Sequence, residues 1–236
     1  MLFLCFIILK LTKTYDYNLE IIYLLCISKY FYMKSKDYLK DISEIKDLMN
    51  KSSRFISLSG LSGIMAGIYA LIGAAIAYWL VTNSGREYLI LDGTIFRLVM
   101  LDLFLIAFLS IVTGIYLTTR KARKHGEKIW DSTSKRLVVN FLIPLVTGGI
   151  YILIILGHQK YGQTGALMLI FYGLALINAS KYSIGDIRYL GIIEIILGLV
   201  CALFPGYGFW LWVLGFGIMH IAYGTWMHFK YDRKTT

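Results

Sequence analysis

The 236-residue chain is 58% hydrophobic and 16% charged, with a mean hydropathy of +0.66, whereas a soluble domain carries about 25% charged residues. That deficit excludes an ordinary soluble domain and points to lipid as the solvent. The formal charge of +10 does not argue for nucleic acid, because the basic residues concentrate beside apolar stretches, as the positive-inside rule requires.

Residues 1–32 contain neither Gly nor Ala. Their apolar runs, 1–9 and 21–27, are too short to cross a bilayer. No basic n-region or small-residue cleavage site marks a signal peptide. The expectation is that this stretch is a doubtful extension and that translation starts at Met33; the alternative is a disordered or interfacial arm.

Residues 33–54 form a separate cytoplasmic segment in this reading. Ser35 caps a helix over 35–50, with Leu39, Ile42, Ile45 and Met49 at spacings of three and four and Lys36, Asp37, Lys40, Glu44 and Asp47 opposite. Such a face lies on the inner leaflet, packs on the basic 118–136 segment, or pairs with a second copy.

Six apolar stretches follow, at 55–81, 95–117, 137–156, 163–179, 189–204 and 208–227. A hydrocarbon core about 30 Å thick needs roughly 20 helical residues, and only internally closed backbone hydrogen bonding survives there. The expected fold is therefore all-α: an integral membrane bundle of six transmembrane helices over 55–228, preceded by the amphipathic helix and followed by a basic tail over 229–236. Before the first span, between spans two and three, between spans four and five, and in the tail, eighteen Lys and Arg accumulate from Lys34 onward. The opposite loops hold three: Arg86, Arg97 and Lys160. Both termini are thus expected in the cytoplasm of a cell whose inner membrane the protein crosses. Aromatic residues near the span ends, among them Trp79, Trp130, Tyr161, Tyr189, Trp210 and Trp226, fit interfacial belts.

In the first span Ser59, Gly63 and Gly67 line up at spacing four, beside Ser62, Ala66, Ala70 and Ala74. Small residues let helix backbones approach closely in lipid, so this is the face expected to pack on the rest of the bundle. Asp102 lies in the outer third of span two, where interfacial water or Arg97 can satisfy it. Pro144, in span three, cannot donate a backbone hydrogen bond and so frees the carbonyl of Asn140; a kink is expected. Glu194 enters span five by six residues from Arg188, about 9 Å at 1.5 Å per residue. His220 sits eight residues inside span six from His228, about 12 Å by the same rise. The two can therefore meet between antiparallel neighbours, either as a proton-titrating pair or as a plain interhelical hydrogen bond.

No metal or cofactor is expected. His125, His158, His220 and His228 lack paired ligand spacings, and Cys5, Cys26 and Cys201 form neither a metal motif nor a disulfide framework. Walker A, dinucleotide and metalloprotease motifs are missing from the sequence.

Gly60-Leu61-Ser62-Gly63 resembles the G-x-S-G around the nucleophile of rhomboid-type intramembrane proteases, which also have six spans and a histidine in the last. In that family, however, the serine belongs to the fourth span, a Gly follows the histidine three positions on, and a Trp-Arg signature occupies the first loop. Here the serine is in the first span and Ile221-Ala222-Tyr223-Gly224 follows His220. A protease is the remote alternative. The segment Lys34-Ser35-Lys36-Asp37-Tyr38 through Ser59-Gly60-Leu61-Ser62-Gly63 resembles the opening of an uncharacterised family of Bacteroidota membrane proteins, over residues 33–80. That resemblance implies a multi-pass inner-membrane protein, attaches no activity, and agrees with a start at Met33.

The function expected is a non-enzymatic sensing or scaffolding module. Its partners are the lipid bilayer and either a cytoplasmic protein or a second copy, with no nucleic acid. The alternative is a small proton-linked transporter using Glu194 and His220.

Overall fold

The computed structural model describes residues 29, 59–83, 93–124, 130–183 and 185–232. The chain divides into two units, Met1–Ser52 and Ser53–Thr236. In the first, only Lys29 is described, helical and exposed. The extension over 1–32, the start at Met33 and the amphipathic helix over 35–50 therefore lie outside the described residues, as do 125–129 and 233–236.

The described part of the second unit is all-helical. Helix α1 is Gly60–Thr82, α2 is Gly93–Lys124, α3 is Ser132–Gly157, α4 is Thr164–Ala179 and α5 is Ile187–Leu203. A final stretch, α6, runs without a break as α-helix Gly208–Trp212, π-helix Val213–Met219, α-helix His220–Met227 and π-helix His228–Asp232. The short 3-10 turns Tyr161–Gln163 and Pro205–Tyr207 lead into α4 and α6. Four of the helical stretches, Gly60–Thr82, Gly93–Lys124, Ser132–Gly157 and Tyr161–Ala179, are long and apolar enough to cross a membrane.

The other two expected spans differ from a plain helix in identifiable ways. The 17 residues of α5 rise only about 26 Å at 1.5 Å each, and α6 changes helix type three times. Helix α2 overruns the expected 95–117 span through Arg120, Lys121, Arg123 and Lys124, so part of the expected basic loop is helical. Cations in a last turn complement the partial negative charge at a helix C-terminus, which explains the extension.

Large apolar side chains face outward: Phe104, Leu153 and Leu203 are 66%, 68% and 74% exposed. Helix α2 buries Ala122 alone. Surfaces this apolar are stable only against lipid or protein, and with the long apolar helices they make this a multi-pass membrane protein.

Small residues determine where the helices touch. Helix α1 presents Gly63 and Gly67 to α6: a β-carbon on Gly63 would fall 3.2 Å from the Gly224 Cα, and one on Gly67 would fall 2.6 Å from the Gly217 carbonyl oxygen; Ser59, just before the helix, is buried. The α4–α5 crossing is built the same way, with Gly173 and Gly191 each against the other's carbonyl oxygen. On its other side α1 receives α2. There the Tyr69 hydroxyl and Thr113 Oγ1 share a hydrogen bond of 3.2 Å, and Ile106 packs onto Gly73. Helix α6 thus packs against α1 on one side and α4 and α5 on the other.

Helix α3 starts at a true cap: Asp131 Oδ1 accepts from the Ser134 backbone N–H at 2.7 Å, satisfying one of the donors every helix N-terminus leaves open. That hydrogen bond holds the Asp131 carboxyl below the usual carboxylate range. Pro144 lies inside one continuous helix, and the carbonyl it frees is not left alone: Asn178 Nδ2, on α4, donates to the Asn140 oxygen at 2.9 Å. The Asn140 side chain turns back to the Arg136 carbonyl at 2.8 Å.

Candidate functional site

Glu194 and His220 meet at the junction of α4, α5 and α6. Glu194 is 0% exposed and His220 5%. His220 begins the α-helical turn that follows the π segment, and its Nδ1 lies 3.0 Å from the Gly215 carbonyl oxygen, five residues earlier. The same nitrogen is 3.4 Å from Glu194 Oε1. On the far side of the ring, Nε2 is 2.8 Å from the Tyr172 hydroxyl of α4.

These contacts assign the protons. A carbonyl oxygen only accepts, so Nδ1 carries a hydrogen and donates to Gly215. In the neutral ring Nε2 then accepts from Tyr172. The pair has two arrangements of equal net charge: a carboxylic acid beside a neutral imidazole, or a carboxylate beside an imidazolium. Because Nδ1, the nitrogen facing Glu194, already carries a hydrogen, the second proton of the imidazolium would sit on Nε2, facing Tyr172 on the far side of the ring.

Glu194 is otherwise sparsely satisfied, since neither carboxylate oxygen has a hydrogen-bond partner. It fits only because residue 215 is glycine: a β-carbon there would stand 2.5 Å from Oε2 and 2.6 Å from Leu169. The Phe216 ring stacks on His220 at 5.8 Å and 15°, and the Tyr172 ring lies 5.3 Å from it. The π segment has a visible local use. It places Gly215 against α5 and Gly217 against Leu71 of α1 within three residues. Such π segments are rare and recur at functional sites.

The other expected residues sit apart from this junction. Asp102 is half-buried on α2 and turns its Oδ2 toward Gly73 of α1 rather than pairing with Arg97. Asn140 and Pro144 belong to the α3–α4 contact. Ser62 Oγ donates to the Ser59 carbonyl at 2.6 Å, while both nitrogens of His220 are engaged with Gly215 and Tyr172. Ser62 and His220 are therefore not paired with each other. Among the described residues, no three His, Cys, Asp or Glu side chains gather as a metal site.

At the end of the bundle where α5 begins, Asp186 Oδ2 accepts from Lys230 Nζ at 2.6 Å and from the Tyr231 hydroxyl. Partial burial pushes the Asp186 carboxyl up, but those two hydrogen bonds and the Lys230 charge outweigh it and hold it below the usual range. The Asp186 hydrogen bond raises the Lys230 ammonium above its ordinary value. A hollow of about 570 Å³ opens beside this cluster, bordered by Ser180, Lys181 and Arg188. A second hollow, of about 380 Å³, is apolar and bordered by Phe204, Tyr207 and Trp210. Neither is lined by Glu194 or His220.

Tyr172 escapes the sequence reading, although a hydroxyl at the centre of the fourth apolar stretch is a signal for it; Gly215 reads in the sequence, with Gly208, Gly217 and Gly224, only as a small residue that lets the last span pack closely. No protein family, no curated protein and no solved structure matches this chain.

Proposed function

We propose that the chain crosses the inner membrane six times, with both termini cytoplasmic, and serves as a non-enzymatic sensing or scaffolding module. Its working element in this reading is the buried Glu194–His220–Tyr172 network. The loop charges support the topology, eighteen basic residues on one side against three on the other.

One observation carries the functional reading: Glu194 is wholly enclosed, its carboxylate oxygens without a hydrogen bond and only His220 Nδ1 close by, at 3.4 Å. An ionisable side chain within a membrane bundle is costly and marks function by default. A carrier's substrate route needs room around such groups. Here Gly215, Leu169 and the Phe216 and Tyr172 rings fill that space. A module that changes helix packing with its proton state needs no such room. Because α6 touches α1 as well as α4 and α5, a shift at His220 reaches both sides of the bundle.

The proton-linked transporter is the second reading, favoured by two buried titratable side chains, Glu194 and His220, 3.4 Å apart within the bundle. Purified protein in sealed vesicles separates the two. A module predicts no proton or solute flux, together with pH-dependent disulfide trapping between cysteines placed on α1 and α6 that Glu194→Gln abolishes. Flux lost in Glu194→Gln overturns the module and establishes the carrier.

A further inference from the structure

The hollow where α4 ends and α5 begins carries positive charge that the fold leaves uncancelled. Ile177, Ser180 and Lys181 border it from the α4 side, and Asp186, Arg188 and Tyr189 from the α5 side. Asp186 is the one acid among them, and its carboxylate is already taken. Lys230 Nζ donates to Oδ2 at 2.6 Å, and the Tyr231 hydroxyl donates to the same oxygen. Lys181 and Arg188 are both exposed, and among the described residues neither makes an ion pair. The Arg188 guanidinium lies 5.5 Å from the centre of the Tyr189 ring, a contact that attracts its charge. A ring cannot answer the five N–H donors of a guanidinium. Those donors match a phosphate through two parallel hydrogen bonds, and a lysine ammonium adds a second point charge.

Depth and surroundings point to the source of the anion. Tyr161–Ala179 is long and apolar enough to cross a membrane. Ser180 and Lys181 follow it directly, so they lie where hydrocarbon gives way to headgroups. Toward the membrane interior the wall turns apolar at once. On α5, Arg188 heads a row at spacings of four, four and three, made by Ile192, Ile196 and Leu199, all exposed. On α4, exposed Leu174 lies three residues before Ile177. A free phosphate uses the hollow and nothing else. A phospholipid uses both parts, its phosphate on Arg188 and Lys181 and an acyl chain along the α5 row.

We propose that the hollow at Lys181, Arg188 and Tyr189 binds the headgroup of an anionic phospholipid, with the exposed row of α5 seating one of its acyl chains. A zwitterionic headgroup brings its own ammonium toward two cations, whereas an anionic headgroup brings none, so the site selects net negative charge. The Asp186–Lys230 tie assists by neutralising the one carboxylate that would repel the phosphate. Glu194 and His220 do not line the hollow, so the lipid site stands independently of any role for that pair.

The test uses the full chain, delipidated in dodecyl maltoside and titrated separately with phosphatidylglycerol, phosphatidylcholine, inorganic phosphate and a glutamate hexamer, with bound molecules counted by native mass spectrometry. Phosphatidylglycerol should show one tightest site, roughly tenfold or more tighter than phosphatidylcholine. Lys181→Gln with Arg188→Gln should weaken that site by about tenfold or more, as the loss of two cations implies. Arg120→Gln with Lys124→Gln removes the same charge from the end of α2 and should leave the site unchanged. All four side chains belong to exposed residues, so both double variants should keep the parent's unfolding midpoint. Equal weakening in the two double variants means that net charge alone attracts the lipid, which overturns the site. An unaltered affinity in Lys181→Gln with Arg188→Gln overturns it too. Inorganic phosphate bound as tightly as phosphatidylglycerol overturns the lipid as its source, and so does a glutamate hexamer that binds there in its place.

Discussion

Asn178 shows how one side chain offsets a defect elsewhere. Pro144 removes a donor from α3, and Asn178 replaces it from α4. Asn178→Leu should therefore cost about 1–3 kcal/mol, the penalty for an orphaned buried acceptor, read by denaturant unfolding in micelles. In a Pro144→Ala background the backbone N–H returns, and most of that cost should vanish. Gly215→Ala should be destabilising by about 1–3 kcal/mol, as overpacking usually is, with part recovered in combination with Glu194→Ala. The freed carbonyl of Asn140 was readable from Pro144 alone, because the rule that creates it is local. Its partner was not, because Asn178 is thirty-eight residues away and nothing local links the two. Glu194 and His220 stood out because charge in an apolar run is visible in one dimension. Tyr172, apolar in bulk and polar at one atom, did not.

Among the elements, the contacts between helices depend on residues that contribute almost no side chain. The row Ser59, Gly63 and Gly67 signals a packing face through its spacing, and α6 is what Gly63 and Gly67 pack on. Gly67→Val should push α1 off α6, because a β-carbon at 67 already meets the Gly217 oxygen; cross-linking between cysteines on α1 and α6 should fall accordingly. Asp131→Ala should cost about 1 kcal/mol as a lost N-cap. Because the capped Asp131 carboxyl is held low, its contribution is present above the ordinary aspartate range and is lost as pH falls through the lowered value. The π-helical turns of α6 were not legible. The first of them, Val213–Met219, lies where one helix must serve α5 and α1 within three residues, a demand set by tertiary packing rather than by propensity.

For the whole molecule, the Asp186–Lys230 tie joins the start of α5 to the end of α6. Asp186 is lowered and Lys230 raised. The aspartate's share of the tie therefore fades as pH falls through its lowered value, and the lysine's share fades as pH rises through its raised one. Lys230 sits 4.5 Å over the Trp226 ring, so Trp226 emission should report both edges, and Asp186→Asn should remove the acid one. The arrangement also bears on how the protein is made. Helix α6 is synthesised after the five others, yet it is the one on which α1, α4 and α5 converge. Until it emerges, Glu194 has no imidazole and the glycine row of α1 has no partner, so half-made chains should be recognised and degraded. A nascent chain halted before residue 208 should accordingly have a far shorter lifetime than one halted after residue 232.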